Sequence, residues 1–99
     1  RFNVPVIIAG DFNMSEDHGV FYGLYQQGYV PALLHQKTTL KQSVNNGAYL
    51  NHAIDNIYLP PGICLEYGTT IDFVKKCTSL DSARMISDHL PVYCRMSLN

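Results

Sequence analysis

The sequence predicts an α/β domain with a mixed, largely antiparallel sheet and one main helix. Short apolar runs that stop at glycine or proline are typical of buried strands, and they occur at residues 6–9 and 53–59. Between these runs, apolar residues recur at helical spacing over residues 20–25. A strand, a helix and further strands within 99 residues suit one small domain.

Composition and charge exclude several classes of protein. The apolar fraction of 46% is ordinary for a globular domain. No apolar run approaches the roughly 18 residues that a transmembrane helix requires. Seven basic residues against eight acidic ones give a net charge of −1, and the scattered basic residues do not predict a polybasic groove for nucleic acid. These features leave the cellular compartment open.

The cysteines and the amino terminus support only general expectations. Cys64, Cys77 and Cys94 lack the C-x-x-C spacing of a zinc site. We expect them to be small buried hydrophobic residues, with a single Cys64–Cys77 bridge as the alternative. The chain begins at Arg1 without methionine or a recognisable signal peptide, and we expect this to be an artificial boundary or a processed end.

The first predicted strand runs directly into Gly10-Asp11-Phe12-Asn13. Alternation along an extended strand end would turn Asp11 and Asn13 toward a common cleft and Phe12 into the core. Two neighbouring oxygen-bearing side chains suit a hard divalent cation or a phosphate ester. The alternative is that both are ordinary turn formers after a strand.

A helix is expected next. Ser15 and Asp17 are its candidate N-caps, and Gly28 is the expected C-terminal stop. The apolar stripe consists of Val20, Phe21, Leu24 and Tyr25. The remaining segments are predicted as an irregular packed stretch at 29–36, a polar surface loop or turn at 37–47 that ends in Asn45-Asn46-Gly47, and a strand at 53–59. Two strands at 63–67 and 69–74, separated by Gly68, a polar connection at 75–83 and a terminal strand ending near 96 follow.

Acidic residues accompany these strands at Asp11, Asp55 and Asp88. Asp55 is the most informative, because its apolar neighbours would bury a carboxylate that then needs a cation or a hydrogen-bonded partner. His89 is the best candidate partner, since an Asp/His pair fixes the imidazole tautomer and stabilises the protonated form. The alternatives are a solvated edge-strand residue for Asp55 and a turn residue for His89. Surface or capping positions are expected for the other histidines, His18, His35 and His52, of which His52 lies nearest to the predicted cleft in sequence.

Three short motifs occur in order: Gly10-Asp11-Phe12-Asn13, Ile54-Asp55-Asn56-Ile57 and Ser87-Asp88-His89-Leu90-Pro91-Val92. With the helix and the Gly28-Tyr29-Val30 segment, they resemble the carboxyl-terminal half of the endonuclease/exonuclease/phosphatase family, the DNase I-like phosphoesterases. The resemblance covers residues 8–96. It implies that the chain forms half of a four-layer α/β/β/α sandwich.

The resemblance also implies a hydrolase that cleaves phosphate esters with Mg²⁺, or with Mn²⁺ or Ca²⁺, and above all a nuclease acting on nucleic acid. By this resemblance Asp11 and Asn13 hold or activate the attacking water, and both bind the metal together with Asp88. His89 contacts the phosphate and transfers a proton, oriented by Asp55. The alternatives are a phosphoinositide or sphingomyelin-type phosphoesterase, or a non-catalytic binding or assembly half-domain.

Two departures from the family pattern are visible. Ala53 stands where many members have arginine. The family's amino-terminal half, which carries a glutamate metal ligand and a second catalytic histidine, has no counterpart, and neither Glu16 nor Glu66 lies in a motif. We therefore expect residues 1–99 to be one partial domain, inactive alone, whose missing half or partner chain supplies those groups.

Overall fold

A computed structural model describes residues 4–98, so the expectation about Arg1 lies outside the described residues. The fold is α/β, with antiparallel sheets and two short α-helices. No helix within the described range has the length and apolar character to cross a bilayer. The strands are β1 Ile8–Asp11, β2 Val30–Pro31, β3 Leu40–Asn45, β4 Ala48–Leu50, β5 Asp55–Leu59, β6 Ile63–Thr70 and β7 Val92–Leu98, and the helices are α1 Tyr22–Gln26 and α2 Leu80–Ile86.

The sheet that carries the first two motifs has the order β1-β5-β2, and β3-β4 and β6-β7 form separate two-stranded sheets. The prediction of one mixed sheet is wrong, because every strand pair within residues 4–98 is antiparallel. In the register of β1 with β5, Asp11 lies opposite Asp55. The two carboxylates are therefore cross-strand neighbours at the end of the pair.

An aromatic cluster fixes one face of this sheet. The ring of Tyr58, on β5, lies 5.2 Å from that of Phe12 and 4.9 Å from that of Phe21, between ring centroids. Tyr58 is fully buried, and burial raises the pKa of its phenol. Phe12 thus packs inward as its position between Asp11 and Asn13 predicts. This packing holds the end of β1 against β5.

The predicted main helix is short. It consists of a 3-10 turn, Gly19–Phe21, followed by the five-residue α1. Its N-cap is His18, whose Nδ1 accepts the Val20 N–H at 3.0 Å, so the predicted caps Ser15 and Asp17 are wrong. Gly28, with φ of 89°, follows the helix as expected.

A second small core lies under α2 and consists of Leu40, Leu80, Ala83 and Leu90. The prediction of a polar connection at 75–83 is wrong there. Ser79 caps α2 by accepting the N–H of Ser82 at 3.1 Å, which allows the polar segment to become helical while its few apolar residues reach the core.

Residues 37–47 are not a surface loop, because β3 begins at Leu40 and pairs with β4 as a hairpin. Asn46 and Gly47 have φ of 51° and 79°, the left-handed values that a two-residue hairpin turn requires. The turn predicted at the end of this segment is therefore confirmed, whereas the two strands that it joins were not predicted because their sequence is polar.

The predicted division of residues 63–74 at Gly68 is also wrong, because β6 runs through it from Ile63 to Thr70. Gly68 is a point of close approach, since a Cβ there would lie 2.1 Å from the carbonyl oxygen of Ala32. The alternative Cys64–Cys77 bridge is wrong as well. All three cysteines are free, and Cys64 is exposed rather than buried.

Candidate active site

The first part of the candidate site is the end of β1. Asp11 is the last residue of the strand, and its Oδ1 accepts the Asn13 N–H at 2.9 Å. Asn13 has φ of 56° and lies beyond the strand, so the alternation argument for its orientation is wrong. The turn instead fixes the Asp11 carboxylate by a local hydrogen bond. Both residues are exposed.

Asp55 lies across from Asp11, and it begins β5 rather than occupying its middle as predicted. Its side chain is 13% exposed. The Thr38 hydroxyl donates to Asp55 Oδ2 at 2.5 Å, and the same hydroxyl oxygen accepts the Asp55 N–H at 3.1 Å. Thr38 is fully buried. The Oδ2 atom of the carboxylate is therefore held in place by a buried hydroxyl that also bonds the backbone of the same residue.

His89 is carried by a segment that is pinned against residues 38–40. Leu90 N–H donates to Thr38 O at 2.7 Å, and Leu40 N–H donates to Asp88 O at 2.9 Å. The His89 N–H donates to Ser87 Oγ at 3.0 Å. Because Thr38 bonds both this segment and Asp55, it fixes the positions of the histidine and the carboxylate relative to each other.

The imidazole of His89 lies among three carboxylates. Its Nδ1 is 2.9 Å from Asp55 Oδ2, within hydrogen-bond distance. Its Nε2 is 3.8 Å from Asp11 Oδ2 and 3.8 Å from Asp88 Oδ1. These two distances are too long for hydrogen bonds, so Nε2 keeps its capacity to bond a ligand.

This environment favours the imidazolium form. The hydrogen bond to Asp55 is the main cause that raises the pKa of His89 above its ordinary value, and the charges of Asp55, Asp11 and Asp88 add to it. Partial burial opposes the shift. The side chain is 34% exposed, so the protonated ring remains accessible from solvent. Such a ring can donate a hydrogen bond to an anionic oxygen or transfer a proton.

Asp11, Asp55 and His89 also meet the spacing of a metal group, since one potential ligand atom from each lies within 4.8 Å of the others. Asp55 Oδ2 is already occupied by Thr38 and His89. The exposed carboxylates of Asp11 and Asp88 are the freer oxygen donors. A donor set of carboxylates with few nitrogens fits a hard cation such as Mg²⁺ better than zinc. No glutamate from the described range joins this group.

The structure thus brings Asp11, Asp55, Asp88 and His89 to one rim, with Asn13 two residues from Asp11. Sequence reasoning missed Thr38, which makes the central hydrogen bonds of the site. Thr38 lies in a polar stretch of the sequence, and nothing in that stretch distinguishes a buried threonine from a threonine in a surface loop. Its neighbour in the chain, Thr39, forms an isolated antiparallel bridge with His89.

Comparison of the chain with protein-family models, with curated proteins and with solved structures gives no significant match. The family resemblance therefore depends on the three sequence motifs alone.

Proposed function

We propose that the chain is the carboxyl-terminal half of a DNase I-like, Mg²⁺-dependent phosphoesterase, and that its substrate is the phosphodiester of a nucleic acid. The single observation that carries the proposal is the position of His89, with Nδ1 2.9 Å from Asp55 and Nε2 facing Asp11 and Asp88. A cationic imidazole beside carboxylates combines a proton donor with oxygen ligands for a cation, and phosphoester hydrolysis uses both.

In this proposal the residues have separate roles. Asp11 and Asp88 hold the cation, with Asn13 as a further oxygen ligand. When bound there, Mg²⁺ supplies Lewis acidity that neutralises negative charge developing on the phosphate oxygens. His89 binds a phosphate oxygen through Nε2–H and holds the proton that the reaction requires at that atom. Asp55 is a positioning residue, because it touches His89 and Thr38 and leaves the phosphate to His89.

The dimensions of the chain support the proposal that it is half of a larger α/β/β/α sandwich. Its radius of gyration is 15.4 Å, whereas a compact chain of this length has about 13 Å. Its accessible surface is 6628 Å², against about 5,700 Å² expected for a monomer of 11.1 kDa. Val4, Val6 and Ile7, next to the edge strand β1, are exposed. An apolar surface of this kind is suited to contact with further protein.

The same dimensions favour a second candidate function, an assembly module that has the proposed half-sandwich fold but performs no catalysis.

Hydrolysis of a phosphodiester is the test that separates the two candidate functions. The product of the whole reading frame that contains these 99 residues is incubated with a labelled oligonucleotide and Mg²⁺, and cleavage is followed on gels. We expect cleavage that EDTA abolishes and that Asp88→Asn lowers on the order of 100-fold.

The matched control is Asp81→Asn, an exposed aspartate on α2, which should leave the rate unchanged. The isolated 99-residue chain should be inactive. Equal rates for the two variants, or cleavage that survives EDTA, would refute the proposed function. Cleavage by the isolated chain that His89→Ala abolishes would refute the half-domain part alone.

A further inference from the structure

A polar cleft of about 270 Å³ opens beside His89, on the side of β3 and α2. Its volume is near the lower end of the roughly 300–1,000 Å³ typical of small-molecule sites, which suits one nucleotide unit rather than a long segment. The proposed chemistry uses only Asp88 and His89 from its lining. The other polar residues that border it are Thr39, Gln42, Asn51, His52 and Arg84.

Arg84 is a fixed cation at the edge of this cleft. Its Nη1 donates to the carbonyl oxygens of Leu40 at 2.9 Å and of Lys41 at 3.1 Å. These two bonds anchor the guanidinium of Arg84, on α2, to β3, whose Leu40 and Lys41 lie 44 and 43 residues away in the chain. A guanidinium held in this way loses little side-chain entropy when it binds a ligand.

The charge of Arg84 is not neutralised locally. No carboxylate among residues 4–98 lies within 4.0 Å of its guanidinium; the only Arg–carboxylate pair in that range joins Arg95 to Glu66. The N–H groups on Nε and Nη2 make no hydrogen bond to the described part of the chain. The Nε–Nη2 edge of the guanidinium is therefore unused, and such an edge is suited to bidentate binding of a phosphate.

We propose that Arg84 binds a second phosphate of the substrate, adjacent to the phosphate at His89, so that the site selects a nucleic-acid strand over compounds with a single phosphate. This inference rests on the proposed function. With a net charge of −1, the chain has no general attraction for polyanions, so one anchored cation in the cleft has a decisive effect.

The remaining lining favours a nucleotide between the two phosphates. Gln42 and Asn51 carry amides, which pair with the edges of bases. His52 carries an aromatic ring that can stack on a base. The cleft therefore has side chains for a base as well as a cation for the next phosphate.

The experiment compares ligands with one and two phosphates. The 99-residue chain with Mg²⁺ is titrated calorimetrically with thymidine 5′-monophosphate and with the 5′-phosphorylated thymidine dinucleotide. We expect the dinucleotide to bind about 10-fold tighter to the unmodified chain, from one additional charge-assisted contact. Arg84→Ala should remove this gain and leave binding of the monophosphate unchanged.

The salt dependence gives a second readout. For the dinucleotide, the slope of log K against log salt concentration should fall by about 0.7 in Arg84→Ala, as expected for one lost phosphate contact on a single strand. The matched control is Arg95→Ala on β7, which does not line the cleft and should retain both the gain and the slope.

Arg84→Lys is the control that separates a loss of binding from a loss of the fold. It keeps a positive charge near the β3 carbonyls and removes the group that binds a phosphate through two N–H donors. It should keep the circular dichroism spectrum of the unmodified chain and lose most of the gain. A dinucleotide gain that is equal in the unmodified chain and in Arg84→Lys would overturn the inference and leave the proposed function standing.

Two other outcomes would also be decisive. Arg84-dependent binding of an inositol bisphosphate that is tighter than binding of the dinucleotide would overturn the assignment to nucleic acid. Failure of the unmodified chain to bind either nucleotide in Mg²⁺, while its circular dichroism spectrum is that of a folded protein, would overturn this inference. The proposed function assigns further metal ligands to the missing half, so the cleavage assay on the product of the whole reading frame decides it separately.

Discussion

Within residues 4–98, two histidines lie beside buried or half-buried carboxylates, and the two arrangements differ in geometry, exposure and surroundings. In the first, His89 Nδ1 lies 2.9 Å from Asp55 Oδ2, and the histidine is 34% exposed. In the second, His35 Nδ1 lies 3.4 Å from Glu16 Oε2, and the histidine is 77% exposed. Glu16 is 6% exposed and is the more buried of the two carboxylates.

The hydrogen bonds of the two carboxylates explain the difference. Glu16 Oε2 accepts the backbone N–H of His35 at 2.8 Å, so it ties two loops together through the main chain. Asp55 bonds the imidazole itself, and Asp11 and Asp88 lie 3.8 Å from the far nitrogen of that ring. The comparison teaches that a buried carboxylate beside a histidine is a structural anchor unless further carboxylates surround the ring.

The largest expected effect separates the two histidines by activity. In the cleavage assay on the product of the whole reading frame, His89→Asn should lower kcat by about 10²–10⁴, the usual contribution of a general acid or base. His35→Asn should change kcat by less than about twofold, since asparagine also tolerates the φ of 54° found there. Similar losses in both variants would remove the functional distinction between the pairs.

The next effect concerns stability. Thr38→Val deletes a buried hydroxyl that donates to Asp55, and the buried partners lose their hydrogen bond. We expect the free energy of unfolding to fall by about 1–3 kcal/mol, measured by urea denaturation. The control is Thr78→Val, where an exposed hydroxyl contacts only Ser82, with an expected change under about 0.5 kcal/mol. A smaller loss for Thr38 than for Thr78 would show that Asp55 does not depend on this bond.

The smallest effect concerns pH. The pKa of His89 is raised by Asp55 in the folded state, so its protonated form stabilises the fold. This contribution is present in full below the ordinary histidine pKa and is lost as the pH rises through the folded value. In an NMR titration, Asp55→Asn should lower the midpoint of His89, while Glu16→Gln leaves it unchanged. A midpoint that Asp55→Asn does not move would rule out Asp55 as the main cause.

Much of the local structure was predictable from the sequence. The strands β1 and β5 follow from apolar runs that end at glycine or proline, and Phe12 packs on Tyr58 as its place in the pattern implies. However, β1 spans Ile8–Asp11 and is a mostly exposed edge strand, whereas a buried strand was predicted at residues 6–9. Two further errors occurred where the sequence is polar. The hairpin β3-β4 and helix α2 are stabilised by a turn at Asn46-Gly47 and a cap at Ser79, which outweigh weak apolar periodicity.

The sequence by itself determined which chemistry-bearing residues stand at strand ends, because turn chemistry and apolar periodicity are local properties of the chain. The Asp55–His89 pair was also predicted, because a carboxylate among apolar neighbours needs a partner, and the structure confirms it. Only the tertiary structure decided how that contact is held and which other charges surround the ring. Asp55 and His89 are 34 residues apart, and their contact depends on Thr38, whose buried hydroxyl is indistinguishable in sequence from that of a loop residue. Glu16 and His35 also form a carboxylate–histidine pair, and the sequence does not separate it from the pair of Asp55 and His89. The number of charges around each ring is set by tertiary packing and not by residue type.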